Sequence, residues 1–292
     1  MVKTVLGLMG GSGLYHMPKL ENARWQRVET HWGEPSDEIL FAELSGLPIR
    51  FLPRHGRGHR LTPTAINYRA NIDALKRAGV TDLISISACG SLKEQYAPGH
   101  FVLVDQFIDR TYAREKSFFG PGLVAHVSMA DPVSPGLLTE VEKAVQGEKI
   151  HYRRGGIYLV MEGPQFSTRA ESNLYRAWGC DVIGMTNMPE AKLAREAEIC
   201  YAVISMVTDY DCWHDAHAEV DVASVLEVMK INTEKVQKVI LRLAKSFPRE
   251  HRPCPIGSDR SLDVAIITPP EARDPALVAK LDAVAGRVLN KS

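Results

Sequence analysis

The sequence has no pair of cysteines at the CxxC spacing of zinc sites and thioredoxin-like sites, which argues against both kinds of site. Its five cysteines are scattered, and three of them lie in apolar stretches where small buried residues are typical. This distribution favours a reducing compartment. The five are Cys89, Cys180, Cys200, Cys212 and Cys254.

An excess of charge of either sign is also missing. Lys+Arg and Asp+Glu both number 35, so the formal net charge is zero and a broad basic surface for nucleic acid is not expected. No window is long and apolar enough for a membrane span. The apolar run near the N-terminus, Thr4–Met9, ends in glycines too early for a signal peptide. We therefore expect a cytoplasmic protein that binds neither a membrane nor nucleic acid, although a local positive cluster for a small anion stays possible.

Short apolar runs alternate with helical patterns, which is typical of a largely parallel sheet. Thr4–Met9, Ile49–Leu52 and Leu83–Ser87 predict strands, and Pro63–Ala78 carries a helical stripe that ends at a glycine. The fold class is therefore α/β, a single domain with a central mixed, largely parallel sheet flanked by helices. Further predicted strands are Phe101–Val104, Gly156–Met161, Val182–Ile183 and Ile199–Val207; further predicted helices are Gly136–Ala144, Arg169–Trp178, Glu190–Ala197 and Val222–Lys245.

The last segment of the chain departs from this pattern. Five prolines lie between Phe247 and Pro270, with one strand-like insert, Val264–Ile267, and Glu271–Leu289 predicts a final amphipathic helix. A separate domain of this size would be marginally stable. We therefore divide the chain into a main domain, residues 1–246, and an extension, residues 247–292, that packs on the same domain or on a neighbouring subunit.

Three segments that follow predicted strands offer donors for an anion. GGSG (Gly10–Gly13) and SACGS (Ser87–Ser91) allow backbone amides to approach a ligand, and PRHGRGH (Pro53–His59) crowds arginines and histidines into a short loop. Each alone is typical of an ordinary turn or a solvated loop. Together they predict one phosphate-sized site at the carboxyl edge of the sheet, where open α/β sheets bind ligands. The third glycine of a dinucleotide fingerprint is replaced by His16, which argues against an NAD-dependent oxidoreductase.

Three further motifs have both structural and functional interpretations. In MEGPQFSTRAE, Phe166 fits a core position or a platform for a flat ring. In GMTNMPEA, Thr186 or Asn187 fits a helix cap, and Thr186 also fits an anion donor. In VTDYDCWHD, Asp209 and Asp211 follow an apolar strand, and taken alone they are typical of a solvated strand end.

In their order, GGSGLY, PRHGRGH, SACGSL, EGPQFSTRAES, MTNMPEAKLARE and VTDYDCW resemble the methylthioadenosine-cleaving members of the trimeric purine nucleoside phosphorylase family. The resemblance covers residues 5–245 or so, and it is the combination that is specific. It implies that inorganic phosphate, a co-substrate, attacks C1′ of 5′-methylthioadenosine to give adenine and 5-methylthioribose 1-phosphate. It implies no metal or organic cofactor, a small nucleoside and phosphate as ligands, and a homotrimer.

The resemblance also implies roles for individual residues. His126 would reach the methylthio end of a neighbouring subunit's substrate. Family members usually have Thr at the position of Ser87, and often Asn at Gly184 and Thr at Asn187. The implied residues are Asp209 and Asp211 for catalysis; Ser12, Arg54, His55, Ser87, Ala88 and Thr186 for phosphate; and Phe166, Ser167, Met185, His126, Val222, Val225 and Leu226 for the nucleoside.

The chemistry of the acid pair agrees with these roles. Cleavage leaves negative charge on the purine, which a proton at N7 stabilises, and a carboxyl group held partly out of water has the raised pKa that this donor needs. A 6-aminopurine offers N–H to a carboxylate, whereas a 6-oxopurine opposes it with lone pairs. We assign Asp209 to N7 and Asp211 to the 6-amino group, an order that the sequence leaves open. A 6-oxopurine enzyme, such as a methylthioinosine or inosine/guanosine phosphorylase, and a non-catalytic nucleotide-binding module remain as alternatives.

Overall fold

The computed structural model describes residues 2–11, 17–214 and 222–290. Within these ranges none of the helices is both long enough and apolar enough to cross a membrane. The described strands, numbered in chain order, are β1 Leu6–Gly10, β2 Glu21–Gln26, β3 Ile39–Leu44, β4 Leu47–Pro53, β5 Asp82–Ser91, β6 Phe101–Leu103, β7 Gln106–Arg110, β8 Tyr152–Arg154, β9 Ile157–Met161, β10 Val182–Gly184 and β11 Cys200–Asp209. The described α-helices are α1 Tyr68–Arg77, α2 Pro135–Gly147, α3 Arg169–Ala177, α4 Asn187–Glu196, α5 Val222–Ser246, α6 Pro275–Lys280 and α7 Asp282–Leu289.

All of these strands belong to one mixed sheet. Its main path runs β2-β3-β4-β1-β5-β10-β9-β7, and β11 branches from β5 toward β6 and β8. The pairs β4–β1, β1–β5, β5–β11, β6–β8, β7–β9 and β9–β10 are parallel, and the remaining pairs are antiparallel. The predicted α/β fold with a largely parallel sheet is confirmed.

Four neighbouring parallel strands, β4, β1, β5 and β11, deliver their carboxyl ends to one edge of the sheet. Gly10 pairs with Pro53, and the Arg54 amide donates to the Gly10 carbonyl at 3.0 Å. The anion motifs at Gly10, Arg54 and Ser87 therefore lie side by side, as expected for residues near the carboxyl ends of adjacent parallel strands.

The central strand β11 packs against helices on both faces of the sheet. Successive side chains of a strand point to opposite faces. Tyr201, Val203 and Val207 belong to the apolar cluster that includes α1, α4 and α7 residues. Ala202, Ile204 and Met206 belong to the cluster that includes α2 and α5 residues. Burial on both faces explains why this segment is a continuous apolar run rather than an alternating one.

Three local predictions are wrong. SACGS is not a turn, because β5 continues to Ser91 by pairing with β11 and, at Gly90 and Ser91, with β10. Val264–Ile267 is not a strand; its pairing is a single bridge between Ile266 and Ala125. Glu271–Leu289 is not one helix, because α6 and α7 are separated at Leu281. The strands β2, β3, β7 and β8 were missed, and the ENARWQ segment of β2 is largely exposed and shows no apolar alternation.

The extension contacts the rest of the same chain along most of its length. Leu281, Val284 and Ala285 are buried in the cluster that contains α1. Arg287 donates to the Glu198 carboxylate from Nε at 2.7 Å. His251 lies 2.9 Å from an oxygen of Asp82 at the start of β5.

Candidate active site

A cavity of about 590 Å³ opens at the carboxyl edge of the sheet. It collects side chains from the ends of β4, β5, β10 and β11 and from one face of α5. Among the residues that line it are Arg54, His55, Ser87, Ala88, Phe166, Met185, Thr186, Asp209, Asp211, Val225 and Leu226, all of them predicted from the sequence.

The side chain of Arg54 is buried in the cavity wall, where hydrogen bonds hold its guanidinium group in place. It is not part of a solvated loop. Its Nε donates to Glu190 at 2.9 Å, one Nη1 hydrogen goes to the Ile86 carbonyl at 3.1 Å, and Nη2 contacts Glu190, Ser85 and the Met9 carbonyl. Burial alone would lower the pKa of the guanidinium, but the Glu190 carboxylate reverses this and raises it. One Nη1 hydrogen has no acceptor within the described ranges, and it supplies a preorganised donor for an anion.

His55 lines the cavity, and its imidazole is neutral at neutral pH. Burial lowers its pKa to about 4, and nearby positive charges including Arg54 act in the same direction. Nδ1 lies 2.8 Å from the Leu61 carbonyl, so Nδ1 carries the hydrogen and donates it there. The ring stacks on His59 with centroids 4.2 Å apart. Nε2 is therefore the acceptor nitrogen at neutral pH.

Thr186 stands at the start of α4 with its hydroxyl uncommitted to the helix. It occupies the N-cap position but makes no side-chain cap hydrogen bond, which corrects the interpretation of this residue as a simple cap. Met188 has an extended backbone (φ −120°, ψ 133°), so the regular helix begins after it and the turn before the helix leaves the Thr186 hydroxyl free of capping. Ser87, on β5, bonds to Tyr158 and Asn187, both at 3.2 Å.

The acid pair lines the same cavity, where β11 ends. Asp209 accepts from the Asp211 amide at 2.8 Å and from the Thr208 hydroxyl at 2.7 Å. Oδ2 of Asp211 is buried and forms no hydrogen bond of good geometry among the described residues, although the hydroxyls of Ser172 and Ser167 lie near this carboxyl group. Burial raises the pKa of both carboxyl groups, and the negative charge of Asp209 adds to the rise at Asp211. The pair is not the solvated strand end that its sequence context allowed.

The position of Asp209 depends on a glycine across the sheet. The β5–β11 register shifts between Val207 and Asp209, which places Asp209 opposite Gly90. A Cβ atom at Gly90 would lie 2.8 Å from Oδ1 of Asp209, so a side chain there would displace the carboxylate. Gly90 belongs to the SACGS motif, whose small residues therefore make room for the acid as well as for an anion.

The rest of the cavity is apolar. Phe166 is 47% exposed at its rim, and Met185 lies next to Gly184 in the wall. Val225 and Leu226 of α5 were predicted from the sequence, but the residues that continue the same face of this helix were missed. Helical spacing from Val225 would have found them; they are Met229, Thr233 and Val236.

Four predicted residues are not placed in this cavity. Ser167 is buried behind it, with its hydroxyl 3.7 Å from the sulfur of Met161. His126 lines a separate depression of about 400 Å³ together with Lys192 and Glu196. Ser12 and the side chain of Val222 lie outside what the structure describes.

The cavity thus combines anion donors, buried acids and an apolar wall on a mixed α/β sheet. Comparison of the sequence with known families agrees with this kind of site. The chain belongs to the phosphorylase superfamily, whose model matches residues 5–245. Its sequence is 63% identical over 289 residues to an S-methyl-5′-thioadenosine phosphorylase of Bradyrhizobium diazoefficiens, with 99% of each chain covered. It is 59% identical over 288 residues to the protein of the same name from Cereibacter sphaeroides, again with 99% of each covered.

Solved structures agree with these matches. The fold superimposes with a TM-score of 0.89 on a methylthioadenosine phosphorylase from an antarctic soil metagenomic library, at 44% identity and with 97% and 99% of the two chains covered. A methylthioadenosine phosphorylase from Schistosoma mansoni in complex with adenine gives a TM-score of 0.79 at 35% identity, covering 83% of this chain and 91% of the other. The resemblance seen in the motifs is confirmed at the level of the family.

Proposed function

We propose that this protein is a 5′-methylthioadenosine phosphorylase, which converts 5′-methylthioadenosine and inorganic phosphate to adenine and 5-methylthioribose 1-phosphate. The observation that carries the proposal is the meeting, in one cavity, of a preorganised arginine with a pair of buried carboxyl groups of raised pKa. Relatives that align over nearly the whole chain bear the name of this activity.

In this proposal one group of cavity residues binds phosphate and another acts on the purine base. Arg54, Ser87 and Thr186 hold phosphate so that one oxygen faces C1′, because positioning is most of what this nucleophile requires. That oxygen forms the new bond to C1′ while the bond from C1′ to the purine nitrogen breaks. The bonding electron pair moves onto the purine, and a proton from Asp209 at N7 neutralises it.

Asp211 is the proposed reader of the base. Its buried carboxyl group, which lines the cavity, would accept an N–H from the 6-amino group of adenine, whereas a 6-oxopurine would place a lone pair against it. The apolar wall of Val225, Leu226 and Met229 suits the methylthio end of the nucleoside. The solved relative that holds adenine supports the same choice of base.

We further propose that the protein acts as a homotrimer in the cytoplasm. Within one chain His126 stays outside the main cavity, which supports its assignment to a neighbour's substrate. The five cysteines are free thiols, which supports a reducing compartment.

The test is release of free base from 5′-methylthioadenosine with and without phosphate. Adenine release that requires phosphate is the expected result, and base release of similar rate without phosphate contradicts it. Methylthioinosine is the comparison substrate: faster cleavage of methylthioinosine than of methylthioadenosine would reject the adenine assignment and favour a 6-oxopurine enzyme.

Asp209→Asn tests the proton donor. The variant keeps the size of the side chain but loses the acid, so kcat is expected to fall by roughly 100-fold or more. Asp73→Asn, another buried carboxyl, is paired with Arg77 away from the cavity and serves as the control. An unchanged kcat/KM in Asp209→Asn removes this residue from the mechanism.

A further inference from the structure

Asn187 lies fully buried at the first turn of α4, directly after Thr186. Its Nδ2 donates to the Ser85 hydroxyl and to the Tyr201 hydroxyl, both at 2.9 Å. The sequence pattern predicted only a capping role for this residue, as an alternative to Thr186. Its side chain joins β5, which carries Ser87, to β11.

The hydrogen-bond network determines which way the Asn187 amide points. Tyr201 gives its own hydrogen to Glu190 at 2.8 Å, so the Tyr201 oxygen is an acceptor toward Asn187. Nδ2 must therefore face Tyr201, and Oδ1 faces Ser87, whose hydroxyl donates to it at 3.2 Å. Glu190 is also the partner of Arg54, so the chain of bonds continues to the arginine of the cavity.

Tyr158 completes the set from the other side of Ser87. Its hydroxyl lies 3.2 Å from the Ser87 oxygen and, because the Ser87 hydrogen is committed to Asn187, Tyr158 is the donor. The Tyr158 hydroxyl also fills the space beside Gly184, where an added Cβ would lie only 1.8 Å from it. The glycine at position 184 is therefore what admits this tyrosine.

We propose that Asn187 and Tyr158 are positioning residues that hold the Ser87 hydroxyl with its hydrogen turned inward, so that Ser87 meets the bound anion as a hydrogen-bond acceptor. The complement of an acceptor is the P–OH group of hydrogen phosphate. Sulfate has no such hydrogen at neutral pH, so the same site binds it poorly. The neutral His55, with its hydrogen on Nδ1, adds a second acceptor to the cavity wall. This inference rests on the proposed phosphorylase function and names the device that selects its co-substrate.

The test compares two anions in the intact enzyme. The KM for phosphate and the inhibition constant of sulfate are measured with methylthioadenosine saturating, for the wild type and for Asn187→Ala. The wild type is expected to favour phosphate by roughly tenfold or more. In Asn187→Ala the Ser87 hydrogen is released and becomes available to either anion, so this ratio is expected to fall about tenfold while the KM for methylthioadenosine stays within twofold.

Two further variants separate positioning from damage. Asn71→Ala removes an equally buried asparagine that bonds Ser36 outside the cavity, and it is expected to leave the ratio unchanged. If Asn187→Ala fails to fold, Tyr158→Phe replaces it as the test, because the ring stays in place while the donor to the Ser87 oxygen is lost. The Ser87 hydroxyl is then held by Asn187 alone and turns more easily toward the anion, so the ratio is expected to fall by roughly threefold.

The inference is overturned if the ratio of the sulfate inhibition constant to the phosphate KM stays constant in both Asn187→Ala and Tyr158→Phe. Equal weakening of sulfate and phosphate binding is the same result. A wild type that releases no adenine in phosphate refutes the proposed function instead. An active wild type with an unaltered ratio in the variants refutes only the positioning role.

Discussion

At the scale of single residues, two histidines have pKa values displaced in opposite directions. Burial lowers the pKa of His55 from 6.5 to about 4. The hydrogen bond to Asp82 raises the pKa of His251 above 6.5. The first histidine is neutral in the cavity wall at neutral pH, and the charged form of the second is stabilised between the sheet and the extension. The two therefore respond to pH with opposite signs.

We predict that His55 lowers the stability of the fold as pH falls from about 6.5 to about 4. In this window the unfolded chain binds a proton that the folded chain excludes, so the free energy of unfolding decreases with acid, by roughly 1–3 kcal/mol. Urea unfolding near pH 7 and near pH 5 measures the loss. His55→Gln should show a smaller loss over the same interval than the wild type does.

His251→Gln is the matched variant of opposite sign. Because its folded pKa is raised, His251 contributes stability that is fully present below pH 6.5 and is lost as pH rises through the folded value. Its replacement should therefore cost more stability near pH 5 than near pH 8. Equal costs at both pH values would show that the ion pair with Asp82 does not form.

At the scale of elements, the extension holds the loop that carries His126. The His126 amide donates to the Ala265 carbonyl at 2.9 Å, and the Ile267 amide donates to the Val124 carbonyl at 2.9 Å. The Val124 amide in turn donates to the Thr268 hydroxyl at 2.9 Å. A segment that was expected to be a strand acts as a short irregular brace, and the brace sets the position of this loop.

Thr268→Val tests the brace, since it keeps the shape of the side chain and removes the acceptor. We predict a loss of about 1 kcal/mol of stability and a higher KM for methylthioadenosine, with the KM for phosphate unchanged. Thr139→Val is the control; it removes a hydroxyl that donates to the Pro135 carbonyl within α2 and accepts from Arg154, and it does not touch the brace. A parallel rise in both KM values would mean that the brace supports the whole site rather than the loop.

At the scale of the whole molecule, the site of one chain is incomplete if His126 serves a neighbour. Two apolar side chains of the brace itself are exposed: Val264 is 96% exposed and Ile267 is 64% exposed. Exposure of large apolar side chains side by side is typical of a surface that another chain covers. A closed ring of chains, each giving His126 to the next, would satisfy both observations.

Mixed assemblies test this arrangement. His126→Ala and Asp209→Asn chains are each expected to be poorly active, but an equal mixture should form about one intact site in four if each site takes Asp209 from one chain and His126 from its neighbour. The activity of the coexpressed mixture, compared with the mean of the two variants, gives the answer. No gain over that mean contradicts a shared site, and light scattering of the wild type reports whether three chains associate.

Local pattern was enough to predict most elements and the residues near their ends. The Arg54 motif, the hydroxyl of Thr186 and the acid pair all follow predicted strands and all line the cavity. The hydrogen-bond partners of these residues could not be predicted, because they come from distant parts of the chain. Glu190, the partner of Arg54, lies 136 positions away in the sequence. Pairing between strands also overrode local propensity at Gly90, where β5 continues through a stretch of small residues.

The sequence by itself therefore determined the α/β class, the order of the motifs and the types of chemical group available, since these depend on periodicity and composition over short windows. Only the tertiary structure decided the state of each group. Burial raises the pKa values of Asp209 and Asp211, the network through Asn187 turns the hydrogen of Ser87 inward, and the extension holds the loop of His126. Desolvation and hydrogen bonding act through neighbours in space, and those neighbours come from distant parts of the chain.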